Sequence, residues 1–188
     1  MRKVTTQLAA LALLLASGSA FAWQCDFLTG GGFIFFNGNK ANFGVGGGCK
    51  HGSPTWGHLE YIDHGTGLNV HWTSITAYLE VDTSSSPKGR PTGARRVCGT
   101  ARTNLFGDVN FVVQARDAGE PGVNDQFDIR LRQPVTNMIL YDTTTQCFPH
   151  FLGSTAPCAP GNGGGGNIQL HKPNPSTTGS FGGSCPAL

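Results

Sequence analysis

Trp56-Gly57-His58-Leu59-Glu60-Tyr61-Ile62-Asp63-His64, then Gly65-Thr66-Gly67, then Leu68-Asn69-Val70-His71-Trp72-Thr73 is the stretch that decides the fold. Side chains along a β-strand alternate between two faces with a period of two. In the first segment Leu59, Tyr61 and Asp63 share one face, and His58, Glu60 and Ile62 share the other. In the second, Leu68, Val70 and Trp72 align. Glycine accepts the backbone angles of a tight turn at little steric cost, so Gly65-Thr66-Gly67 reads as the link of a hairpin.

The same alternation extends outward in both directions. Upstream, an aromatic strand over 33–36 meets the turn Asn37-Gly38-Asn39-Lys40 and returns over 41–45, where Phe43 and Val45 alternate with Asn42 and Gly44. Downstream, strands are expected over 77–81, 96–103, 109–116, 126–132, 138–141 and 167–172, with a polar Ser/Pro/Gly loop over 83–94. Outside the N-terminal segment nothing keeps a helical period. Many short strands at roughly 8–12-residue spacing predict an all-β fold, a single antiparallel sandwich or barrel-like domain.

The first 22 residues read as a secretory signal. Arg2 and Lys3 precede an apolar run over 8–16, and Ala20-Phe21-Ala22 presents small residues for cleavage. The run is shorter than the ~20 residues that span a bilayer, and no second apolar span follows. The expected organisation is a signal over 1–22, a β domain over 23–172 and a Pro/Gly/Ser-rich tail over 173–188. Of 13 Lys+Arg against 11 Asp+Glu, Arg2 and Lys3 fall in the signal, leaving 11 of each and no net charge. A neutral domain has no overall pull on nucleic acid or anionic membrane. Arg90, Arg95, Arg96 and Arg102 read as a solvated loop and strand end. The protein is expected to be secreted, periplasmic or at the cell surface.

All six cysteines lie beyond the signal, and an even number in an exported chain implies a disulfide-reinforced domain. Cys147 and Cys158 share one irregular insert and are expected to pair. Cys49 is expected with Cys98, and Cys25 with Cys185, tying the tail down.

Three groups of side chains are candidates for function. Asp117, Glu120, Asn124, Asp125 and Asp128 gather hard oxygen ligands near a turn, as a calcium site would; calcium is the one cofactor suggested. The alternative is a hairpin in which Gly119, Pro121 and Gly122 turn the chain and Asp and Asn cap amides. The opening of this stretch, V-x-A-x-D-x-G-x-P over 113–121, resembles a cadherin strand–turn pattern. Among the histidines His58, His64 and His71, the simplest register sets His71 opposite Tyr61, so convergence on a metal is not the default. Trp56, Tyr61, His64 and His71 are candidate ligand contacts, since aromatic rings on a sheet stack on sugars or enter protein interfaces. Trp72 is expected in the core, and Trp56 at a corner nearer solvent.

Catalytic patterns are thin. Glu60 and Glu80 could serve a glycosidase, which needs two carboxylates across one cleft. Ser84-Ser85-Ser86 lacks a G-x-S-x-G elbow, and the glycine tract ending at Gly166 lacks the Lys-Ser/Thr of a phosphate loop.

Four stretches carry a family resemblance: TGGGFIFFNGNKANFGV from Thr29, GHLEYIDHGTGLNVHWTSI from Gly57, ARDAGEPGVNDQFDIRL from Ala115 and GGGNIQLHK ending at Lys172. In this order they resemble the post-COAP domain family, modules of exported bacterial proteins often found beside a choice-of-anchor domain. The insert with Cys147 and Cys158 and the tail with Cys185 depart from it. The resemblance implies an exported β module and brings no activity. The expected function is a non-catalytic binding or structural module, its partner a polysaccharide or another surface protein. The alternative is a small secreted hydrolase acting on polysaccharide.

Overall fold

The computed structural model describes residues 25–50, 53–160, 164–177 and 179–188. The signal over 1–22 lies outside the described residues. The chain is all-β. Its strands are β1 (Phe27–Phe36), β2 (Asn39–Lys50), β3 (Ser53–Asp63), β4 (Leu68–Ser85), β5 (Pro91–Thr103), β6 (Gly107–Asp117), β7 (Gln126–Arg132), β8 (Ile139–Asp142) and β9 (Gly166–His171). They form one antiparallel sheet in the order β8-β7-β6-β5-β4-β3-β2-β1-β9. Eight strands follow one another as a meander, and β9 returns to the far side of β1.

The sheet is rolled so that its two halves share a core. Phe43 of β2 stacks on Phe127 of β7 with ring centres 3.9 Å apart. The hydroxyls of Tyr61 and Tyr141 meet at 2.7 Å, and Tyr141 also donates to Asp63. Leu59 and Tyr61 are fully buried, as the alternation of β3 requires. Burying the Tyr61 hydroxyl pushes its ionisation well above the ordinary tyrosine range.

Expected and observed strands differ most along β4, which runs unbroken where two short strands were expected. Register shifts between Trp72 and Ser74 and between Ile75 and Ala77 swap which parity faces inward. A bulge puts two residues against one and resets the alternation. The pairing of β4 and β5 reaches Ser85 and Pro91, so the loop shrinks to 86–90.

β3 pairs with β4 only from Glu60 to Asp63, and from Trp72 onward β5 is the one strand among the described residues that pairs with β4. The C-terminal tail lies in the resulting split. Gly182 exchanges both backbone hydrogen bonds with Tyr78 at 3.0 Å, and Cys25 N donates to Gly179 O.

Three disulfides join Cys25 to Cys49, Cys98 to Cys185 and Cys147 to Cys158. The third is the expected pair; the other two replace Cys49–Cys98 and Cys25–Cys185. β1 and β2 are hydrogen-bonded neighbours, and Phe27 faces Gly48. That register sets Cys25 beside Cys49, with Cα atoms 5.7 Å apart. The tail crosses β4 and reaches Cys98 on β5. Among the described residues, no helix is long and apolar enough to cross a membrane.

Within the arginine cluster Arg90 and Arg102 are exposed, as expected, but Arg95 is not. It is 1% exposed and forms an ion pair with the equally buried Asp26. Nε and Nη2 reach the two Asp26 oxygens, Nη2 also reaches Thr83 Oγ1, and Nη1 reaches the carbonyls of Asp82 and Ala94. Tyr78 donates its hydroxyl to the same carboxylate at 2.8 Å.

Candidate functional site

The calcium candidates are divided between three tasks. Asp117 accepts from Gly119 N at 2.7 Å and from Leu170 N at 2.8 Å. Asp125 accepts from Ala118 N at 2.8 Å and from Ile168 N at 2.7 Å. Ile168 and Leu170 are alternate residues of β9, so both amides point away from β1. These carboxylates stand where another strand would pair. Asp128 lies inside, bonded to His150 Nδ1 at 2.7 Å, His150 N at 3.1 Å and Thr143 Oγ1 at 3.1 Å. Glu120 and Asn124 are exposed. Among the described residues, no group of three His, Cys, Asp or Glu side chains is gathered to hold a metal ion. The acidic stretch works chiefly as a seam between the β6–β7 loop and β9.

Burial lifts the Asp125 carboxyl to about 6; the charges of Asp117 and Glu120 add to the rise, and the Ile168 and Ala118 amides oppose it. A carboxyl raised in the fold binds more protons folded than unfolded between about pH 4 and 6. Its contribution to stability is therefore present below the unfolded value and lost as pH rises through 6. Urea unfolding is expected to show the wild type gaining about 1 kcal/mol from this group at pH 5 relative to pH 7. Asp125→Asn removes the step. Comparing the two cancels His171, which burial holds below its ordinary range and which acts in the opposite direction. Identical pH slopes in both proteins would contradict the assignment.

Asp128 and His150 form a buried pair that the sequence did not reveal. His150 is fully buried, and its Nε2 faces Gln146 Oε1 at 3.3 Å. A catalytic Asp–His pair presents its second nitrogen to a nucleophile. Here it faces an amide, and the pair locks the segment over 146–150 onto β7. Glu60 and Glu80 are not brought together: His71 is the partner of Glu60, and Glu80 lies nine residues farther along β4.

The other candidates lie on the outer face of β9, β1, β2, β3 and the start of β4, except Tyr61. That residue is 0% exposed and belongs to the core, because it shares parity with Leu59. Cross-strand register arranges the face in rows. One row runs His171, Phe27, Gly48, Trp56. His171 stacks on Phe27 at 4.3 Å, and Trp56 meets Phe27 edge-on at 6.4 Å. Thr29 Oγ1 stands 2.7 Å from His171 Nε2. In the next row His58 lies over Gly46, where a Cβ would come within 2.7 Å of the ring. The third row is Asn167, Gly31, Gly44, Glu60, His71. His71 pairs with Glu60, not Tyr61. His64 lies farther along, bonded to Asn42 Oδ1 at 2.9 Å. The three histidines do not converge. Trp72 is half-buried against the core.

Gly31 and Gly44 are direct cross-strand partners. A Cβ on Gly44 would meet nothing within 4 Å, and one on Gly31 would meet only Phe43 O at 3.5 Å. Neither has a positive φ. Packing explains the glycines at 46 and 48, the first beneath the His58 ring and the second against Phe27 Cβ and Cα; it does not explain these two.

No family model, curated protein or solved structure matches the chain.

Proposed function

We propose that the chain is an exported, non-catalytic binding module that lays a polysaccharide across the outer face of β9, β1, β2 and β3. The observation that carries this reading is the bare pair Gly31 and Gly44, bordered by Asn167 and Glu60 and separated from the His171–Phe27–Trp56 row by the single row of Gly46 and His58. Glycine inside a strand costs roughly 0.5–1 kcal/mol relative to alanine, and often marks a place where a ligand approaches the backbone closely. A flat floor rimmed by amide, carboxylate and aromatic groups suits sugar rings, which offer hydroxyls at the edge and C–H groups on the face. Export is supported by the signal-like N-terminus and by three disulfides, which persist in oxidising compartments. The likeness to post-COAP modules agrees with a surface role.

The test is co-sedimentation with insoluble β-glucan, chitin and cell-wall polysaccharide particles. The wild type is expected to be retained on at least one of them. Trp56→Ala and Gly44→Thr are expected to lose at least tenfold in affinity. Gly44→Thr keeps or raises the melting temperature, because threonine favours a strand and the site is open. Undiminished retention of Gly44→Thr, or no retention of the wild type on any particle, would overturn this reading.

A further inference from the structure

A second recess lies at the end of the roll that carries the β4–β5 and β6–β7 connections. It is a cleft of about 250 Å³ between the 86–90 turn, the start of the β6–β7 loop and β9. The volume is below the ~300–1,000 Å³ of pockets that enclose drug-sized ligands, so an occupant is small. Lys88 and Arg90 line one wall, and Asp117 and Glu120 another. Pro87, Pro91 and Leu170 supply apolar surface between them.

The two walls do not neutralise each other. Among the described residues, Arg95, Arg102, Arg116 and Arg130 each have a carboxylate partner, whereas Lys88, Arg90, Asp117 and Glu120 enter no ion pair. The backbone of the turn that carries the cations is fixed: Gly89 adopts φ +67°, and Arg90 N donates to Ser86 Oγ. Of the acids, Asp117 is held by the seam to β9, through the bond from Leu170 N, and Glu120 is exposed beside it. Burial raises the Asp125 carboxyl behind them, and the negative charges of Asp117 and Glu120 add to that rise. A cleft that keeps opposite charges apart on facing walls is complementary to a ligand carrying both charges.

We infer that this cleft binds a small zwitterion of the amino-acid or dipeptide class, with its carboxylate at Lys88 and Arg90 and its ammonium at Glu120 and Asp117. A short aliphatic side chain would contact Pro87, Pro91 and Leu170. This site is separate from the Gly31–Gly44 floor.

The experiment is calorimetric titration of the full oxidised domain with L-alanyl-L-alanine, its N-acetyl derivative and its C-terminal amide, at low ionic strength. The free dipeptide is expected to bind saturably, and each blocked form at least tenfold more weakly. Lys88→Ala/Arg90→Ala and Glu120→Gln each weaken the free dipeptide at least tenfold with unchanged melting temperature, since all three side chains are exposed. Gly44→Thr leaves this binding intact, which separates the cleft from the polysaccharide face. Absence of saturable binding up to ~20 mM dipeptide, equal binding of the blocked forms, or full binding by both charge variants would overturn the inference.

Discussion

Replacing Arg95 with methionine is expected to destabilise the domain by about 3–5 kcal/mol, the cost of leaving one partner of a buried pair uncompensated. The guanidinium has all its donors directed at acceptors, and Phe181 covers it with its ring centre 5.3 Å from Cζ. Removing it strands the Asp26 carboxylate, 4% exposed, beside the buried Tyr78 hydroxyl. The carbonyls of Asp82 and Ala94 lose a donor as well. Asp26→Asn in the same chain keeps an acceptor for Tyr78 and removes the stranded charge. The double variant is therefore expected to be more stable than Arg95→Met alone. Urea unfolding of both variants and the wild type closes the comparison. A loss under 1 kcal/mol for the single variant would contradict the account.

The second large effect belongs to Cys98–Cys185. Its partners are 87 residues apart, against 24 for Cys25–Cys49 and 11 for Cys147–Cys158. In the chain-entropy model these closures contribute roughly 4.6, 3.4 and 2.8 kcal/mol respectively. Replacing Cys98 and Cys185 with serine is expected to lower the melting temperature by roughly 10–15 °C, more than either other pair. The tail adds to the loss. Phe181 stacks on Tyr78 at 5.5 Å, and Leu188 packs on the cluster of Ala77, Cys98 and Val112. Arg130 and Arg132 both donate to Ala187 O. Calorimetric melts of the three paired serine variants test the ranking. A smaller loss for Cys98/Cys185 than for Cys147/Cys158 would contradict it.

The alternation over 56–73 was enough to read the fold class, because both strands keep strict parity where they pair. Parity alone also removes Tyr61 from the ligand face, since it follows Leu59 inward. The rest depends on partners distant in sequence. Arg95 looks like a surface arginine until Asp26, 69 residues away, is placed beside it. Asp117 and Asp125 look like metal ligands until β9 brings amides 53 and 43 residues downstream. The disulfide pairing follows from the β1–β2 register and the path of the tail, and no spacing encodes either. Trp56, His64 and His71 were legible as an outward-facing set. The bare glycines gained meaning only when the register set Gly31 opposite Gly44.

The seam between the acidic loop and β9 bears on how these molecules behave in a crowd. A terminal strand ordinarily offers a ladder of free amides, and such a rim recruits strands from neighbouring chains into aggregates. Ile168 and Leu170 have surrendered theirs to side chains of their own chain. A second molecule arriving at that rim meets two carboxylates instead of two donors. Substituting Asp117 and Asp125 therefore does more than weaken the domain: it exposes a template for edge-to-edge polymerisation.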